Sequence, residues 1–89
     1  MKKIYKFIMD LLVVQVNGCC SFTIPLGSKI LDVQVQHGAI CLWVEVCTDQ
    51  PLGKRYFTVV GTGDELPKGN PTYVATVQQF SDVWHVYEI

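Results

Sequence analysis

The stretch Lys29–Val46, KILDVQVQHGAICLWVEV, decides the fold. Its two halves alternate in character from residue to residue and meet at His37-Gly38, so it reads as a β-hairpin with side chains of period two flanking a tight turn. On the outgoing half Leu31, Val33 and Val35 share one face, and Asp32, Gln34 and Gln36 the other. On the return half Ile40, Leu42, Val44 and Val46 alternate with Cys41, Trp43, Glu45 and Cys47. The aliphatic row is the expected core face. Trp43 and Glu45 then project from the opposite side, which makes that side the first place to look for a binding surface.

Towards the N-terminus, Lys3–Met9 mixes lysines with aromatic and β-branched residues and reads as a first strand near a sheet edge, where lysine deters aggregation. Leu11–Val16 reads as its continuation after a bend at Asp10; a helix over residues 5–14 competes, but the clustered valines favour strand. Asn17-Gly18 is a strong hairpin signal, so Cys19–Ile24 is expected to fold back on Leu11–Val16. Pro25-Leu26-Gly27-Ser28 turns the chain into the central hairpin.

Towards the C-terminus, Thr48–Gly53 is a polar loop and Lys54–Val60 a strand that sends Tyr56 and Phe57 to opposite sides. Glu65–Pro71, with two prolines and a glycine, is expected to be irregular. Thr72–Gln79 alternates again, Ser81-Asp82 turns, and Val83–Ile89 closes the chain as a strand. Six to seven short strands with no confident helix predict one all-β domain over residues 1–89, a small antiparallel sandwich or partly open barrel.

Composition narrows the chemistry. At 89 residues the domain buries only about 60–65% of its unfolded surface, so its core is small. A net charge of -1 with scattered Lys and Arg offers no field for a phosphate backbone, and nucleic acid is not the expected partner. Cys19, Cys20, Cys41 and Cys47 form no C-x-x-C pair and are read as free thiols, with a disulfide from Cys19 or Cys20 to Cys41 or Cys47 as the alternative. Lys2-Lys3 and Val16-Asn17-Gly18-Cys19 imitate a lipoprotein signal, but Lys6 and Asp10 interrupt its apolar region. No run approaches the roughly 20 apolar residues of a membrane helix.

Gly61-Thr62-Gly63 lacks the lysine and following helix of a phosphate cradle and reads as a strand-ending turn. His37 sits in the hairpin turn. His85 would serve as an acid or base only with a carboxylate such as Asp32 or Glu45 beside it, and is otherwise a hydrogen-bonded surface residue. Ser21, Ser28 and Ser81 lie outside any G-x-S-x-G elbow. A non-enzymatic protein without metal or cofactor is therefore expected. The aromatic set Trp43, Tyr73, Trp84 and Tyr87 is read first as core; turned outward beside Arg55 or Gln34, it would form a recognition patch. The candidate binding residues are Trp43, Glu45, Arg55, Trp84, His85 and Tyr87. Exposed strand edges and aromatics leave a homodimer open as well.

Several stretches in order carry a resemblance: Lys3–Phe7, Ile24–Gln36, Leu42-Trp43, Lys54–Phe57, Gly61–Gly63, Tyr73–Gln78 and Val83–Glu88. Taken together the chain resembles a family of small all-β proteins encoded by tailed phages and prophages. Asp10–Cys20 departs from it, being more apolar and richer in cysteine. The resemblance implies the cytoplasm of a bacterial host and no established activity. It makes a host protein or protein complex the expected partner, with a counter-defence inhibitor of the anti-CRISPR kind as one form of that role. A small-ligand or nucleotide-sequestering protein with an aromatic pocket is the alternative.

Overall fold

A computed structural model describes every residue, Met1–Ile89. Seven strands and one helix follow in the order β1 (Lys2–Ile8), α1 (Leu11–Asn17), β2 (Cys20–Pro25), β3 (Lys29–Gln36), β4 (Ala39–Cys47), β5 (Leu52–Gly61), β6 (Thr72–Gln79) and β7 (Asp82–Glu88). They form two antiparallel sheets, β1-β4-β3 and β2-β5-β7-β6, stacked as a sandwich and not closed into a barrel.

The central hairpin is β3-β4. His37 and Gly38 have φ values of 53° and 77°, the two positive angles that match a tight turn to the twist of its strands. Ile40, Leu42, Val44 and Val46 are fully buried, packed with Ile24, Phe57 and Val86 of the facing sheet in one core. The register of β3 slips between Ile30 and Asp32, which corrects the expected alternation. Leu31 is the extra residue and stands exposed, so the inward row is Ile30, Val33 and Val35, while Asp32, Gln34 and Gln36 remain outside.

The segment Leu11–Asn17 is helical, not the second half of a strand. Asp10 caps it, its carboxylate accepting the Leu12 and Val13 N–H groups at 3.0 and 3.3 Å. Gly18 ends it at φ 82° and donates to the Val14 carbonyl at 2.7 Å. A glycine at positive φ serves a helix terminus as well as a hairpin, which is why Asn17-Gly18 suggested the wrong element. β2 accordingly pairs with β5, with Cys20 opposite Phe57 and Pro25 opposite Leu52. The helix carries the chain from one sheet to the other, burying Val14 and part of Leu11, and the Gly18 carbonyl accepts the Thr58 hydroxyl at 2.9 Å just before the start of β2. No helix is long and apolar enough to cross a membrane.

Two polar clasps join the sheets. Trp84 Nε1 donates to Gln79 Oε1 at 3.1 Å, and Gln79 Nε2 donates to the Gly38 carbonyl in the hairpin turn at 2.7 Å. Away from that turn, the Arg55 guanidinium donates to the Ser28 carbonyl just before β3 while holding Glu88 of β7.

The four cysteines carry free thiols. Burial, with the neighbouring Cys19 adding to it, raises the Cys20 thiol above the ordinary thiol range. The unfolded chain therefore ionises at this position first. The contribution to stability is whole below about pH 8.5 and declines as pH rises through the folded-state value. Urea unfolding between pH 7 and 10 should show a shallower alkaline loss for Cys20→Ala than for the parent chain. Equal slopes would remove this assignment.

Candidate functional site

The expected site residues fall on three separate surfaces, because the pairing order of the strands, not their local alternation, decides which faces meet. Trp43 and Glu45 lie on the outer face of the three-stranded sheet, Trp43 between Lys6 of β1 and Asp32 of β3. Both are half-buried by these neighbours and line no cleft. His85 and Tyr87 lie on the outer face of the four-stranded sheet, while Trp84 faces inward.

Arg55 is the floor of a corner between the sheets. Its Nε and Nη2 donate to the two Glu88 oxygens at 2.6 and 2.7 Å, a bidentate pair about three-quarters shielded from solvent, and its ring-facing side lies 6.0 Å from the centroid of Phe57. Hydrogen bonding to Glu88 raises the proton affinity of the guanidinium and outweighs the opposing effect of burial. With its fork so engaged, Arg55 ties β5, β7 and the start of β3 together and is not offered to a ligand.

His85 is braced on both sides by hydroxyls: Thr62 Oγ1 at 2.9 Å from Nε2 and Thr76 Oγ1 at 2.9 Å from Nδ1. The Tyr73 hydroxyl extends the chain to Thr76 at 2.6 Å, and its ring packs edge-on against Tyr87 at 5.6 Å. Asp32 and Glu45 lie on the outer face of the other sheet, so neither of the two carboxylates expected beside this imidazole is there, and its hydrogen-bond partners are hydroxyls. Hydroxyls can donate or accept, so they hold the ring without selecting a tautomer. No three of the His, Cys, Asp and Glu side chains converge as a metal set would.

A cleft of about 390 Å³ opens between α1 and the four-stranded sheet. Leu11, Val14, Val59 and Trp84 supply its apolar wall, and Gln15 and Thr58 its polar atoms. No Lys or Arg lines it. That chemistry suits an apolar or aromatic ring better than a phosphate.

β1 and α1 carry four exposed aliphatic side chains that the sequence reading did not single out. Ile4 and Ile8 on the outer face of β1 are 63% and 57% exposed, and Leu12 and Val16, one turn apart on the outward side of α1, are 68% and 75% exposed. The signal was present in the sequence as Lys2, Ile4, Lys6 and Ile8 at period two. Reading α1 as strand hid the other half.

The corner pair makes a direct prediction. Arg55→Met and Glu88→Gln should each destabilise the domain by about 1–3 kcal/mol in urea unfolding, since each leaves its partner's hydrogen bonds unmade in a site largely shielded from solvent. A double-mutant cycle should return a coupling of about 1 kcal/mol or more, and additive effects would contradict the clasp.

No curated protein and no solved structure matches the chain. A family model described as a domain of unknown function matches residues 1–89, the whole of the sequence. That match spans both sheets of the β-sandwich and its helical crossover, and the chain belongs to the family DUF7352.

Proposed function

We propose that the protein is a non-enzymatic phage or prophage accessory protein that acts in the host cytoplasm by binding a host protein or protein complex, with inhibition of a host defence assembly as one form of that role. The observation that carries this reading is the uncovered apolar surface of β1 and α1. Four aliphatic side chains more than half exposed are a costly feature in a domain with so small a core, and a partner surface would cover them. His85 hydrogen-bonds hydroxyls and no carboxylate, which supports binding over catalysis. Affinity capture from host lysate should retain a reproducible partner that Ile4→Glu and Leu12→Glu variants lose while keeping the parent circular dichroism spectrum. An identical set of retained proteins for parent and variants would overturn the reading.

The cleft beside Trp84 favours a second reading, the sequestration of a small apolar or aromatic molecule. Its lack of basic residues argues against nucleotides as the ligand. Saturable quenching of tryptophan fluorescence by a single-ring aromatic probe such as indole, abolished by Val14→Trp, which fills the cleft, would support it. Quenching that survives the filled cleft would remove it.

A further inference from the structure

Sandwich proteins blunt their sheet edges to prevent unwanted pairing, and three of the four edges here are blunted. β3 and β6 carry register irregularities at Ile30/Asp32 and Tyr73/Ala75 and pack against one another across the sandwich. β2 is short, ends in Pro25 and has α1 packed on it. β1 is different: it is regular over seven residues, contains no proline, and six of those residues are exposed.

The direction of its backbone groups follows from the register. Met9 donates its N–H to the Ile40 carbonyl and Thr48 to the Met1 carbonyl, both at 2.9 Å. These pairs continue the register of β1 and β4 at each end, so Lys3, Tyr5 and Phe7 exchange hydrogen bonds with β4. Lys2, Ile4, Lys6 and Ile8 therefore turn their N–H and C=O groups to the free edge. The same four side chains stand in the row on the outer face, lysine alternating with isoleucine.

We propose that the free edge of β1 receives an extended acidic and apolar strand of a partner protein, which lengthens the three-stranded sheet by antiparallel β-augmentation. This deepens the binding role proposed above and rests on it. Charge selects the occupant. β1 carries three lysines and no carboxylate, and the acidic residues of that face, Glu45 and Asp32, sit on β4 and β3, further from the edge. A second copy paired through β1 would bring the lysines of both chains into one ribbon with no counter-charge, which opposes self-association. An incoming strand with Asp or Glu opposite Lys2, Lys3 and Lys6 and apolar residues opposite Ile4, Tyr5, Phe7 and Ile8 meets every position. Lys6 rests on the Gln36 amide oxygen at 3.0 Å, an exposed neutral contact that it can exchange for a carboxylate. Main-chain hydrogen bonds would supply affinity and the lysines specificity.

The test is an amide-shift titration of the isotope-labelled full chain with a blocked peptide, Val-Ile-Glu-Tyr-Val-Glu-Glu, and with its analogue bearing lysine for glutamate. The acidic peptide should shift and protect the amides of Lys2, Ile4, Lys6 and Ile8. The lysine analogue should bind about tenfold more weakly, and a Lys3→Glu/Lys6→Glu variant should reverse that order. Equal binding of both peptides, shifts confined to other surfaces, or protection of these amides by concentration alone would overturn the proposal, the last in favour of a homodimer. If the peptides fail while lysate capture remains sensitive to Ile4→Glu and Leu12→Glu, the edge proposal falls and the broader binding role stands.

Discussion

The constraint on which the structure depends is the burial of one strand's inner row. Ile40, Leu42, Val44 and Val46 have essentially no solvent contact, and β4, between β1 and β3, is the only strand of its sheet with a partner on either side. Such a row is stable only against a facing sheet, and Ile24, Phe57 and Val86 provide it. Each branched side chain so covered is worth about 1.5–3 kcal/mol relative to exposure. A shift of one residue would turn the row to solvent, so the register of the central hairpin is strongly specified.

From that row the remaining features follow as ways of closing a sandwich of unequal sheets. The four-stranded sheet offers more surface than the three-stranded one covers, and α1 occupies the difference beside β5. Aromatic rings of Phe7, Phe22 and Phe57 bridge from β1 to β5 at centroid spacings of 5.2 and 5.7 Å, while the Gln79 and Arg55 clasps hold the sheets polar group to polar group. Among the surfaces this arrangement leaves exposed are the outside of β1 and the outward side of α1. Function in such a molecule is read from the surface that the fold does not use.

The architecture was legible because its strongest signals are local. Alternation along Ala39–Cys47, two positive φ angles at His37-Gly38 and the opposite fates of buried Phe57 and exposed Tyr56 each need only a few consecutive residues. The helix was not legible, since four of its seven residues are valine or asparagine and its existence rests on Asp10, Gly18 and the need to cross between sheets. Leu31 misled because a bulge shifts the period by one. Cys41, placed on the polar side by alternation, is nonetheless buried, flanked by Ile8 of β1 and Gln34 of β3, neighbours that alternation along one strand cannot express. The candidate site scattered for the same reason. Trp43, Arg55 and His85 each sit where a strand reading puts them, but which strands lie side by side decides whether they meet.

β4 is the enclosed strand of its sheet, and β1 beside it keeps an open edge. Residue-resolved native-state hydrogen exchange of the free protein tests this arrangement most directly. The slowest exchange is expected in β4, with an alternation along β1 in which Lys3, Tyr5 and Phe7 are protected and Lys2, Ile4, Lys6 and Ile8 exchange rapidly. Uniform protection along β1, or exchange in β4 as fast as at the edge, would contradict it.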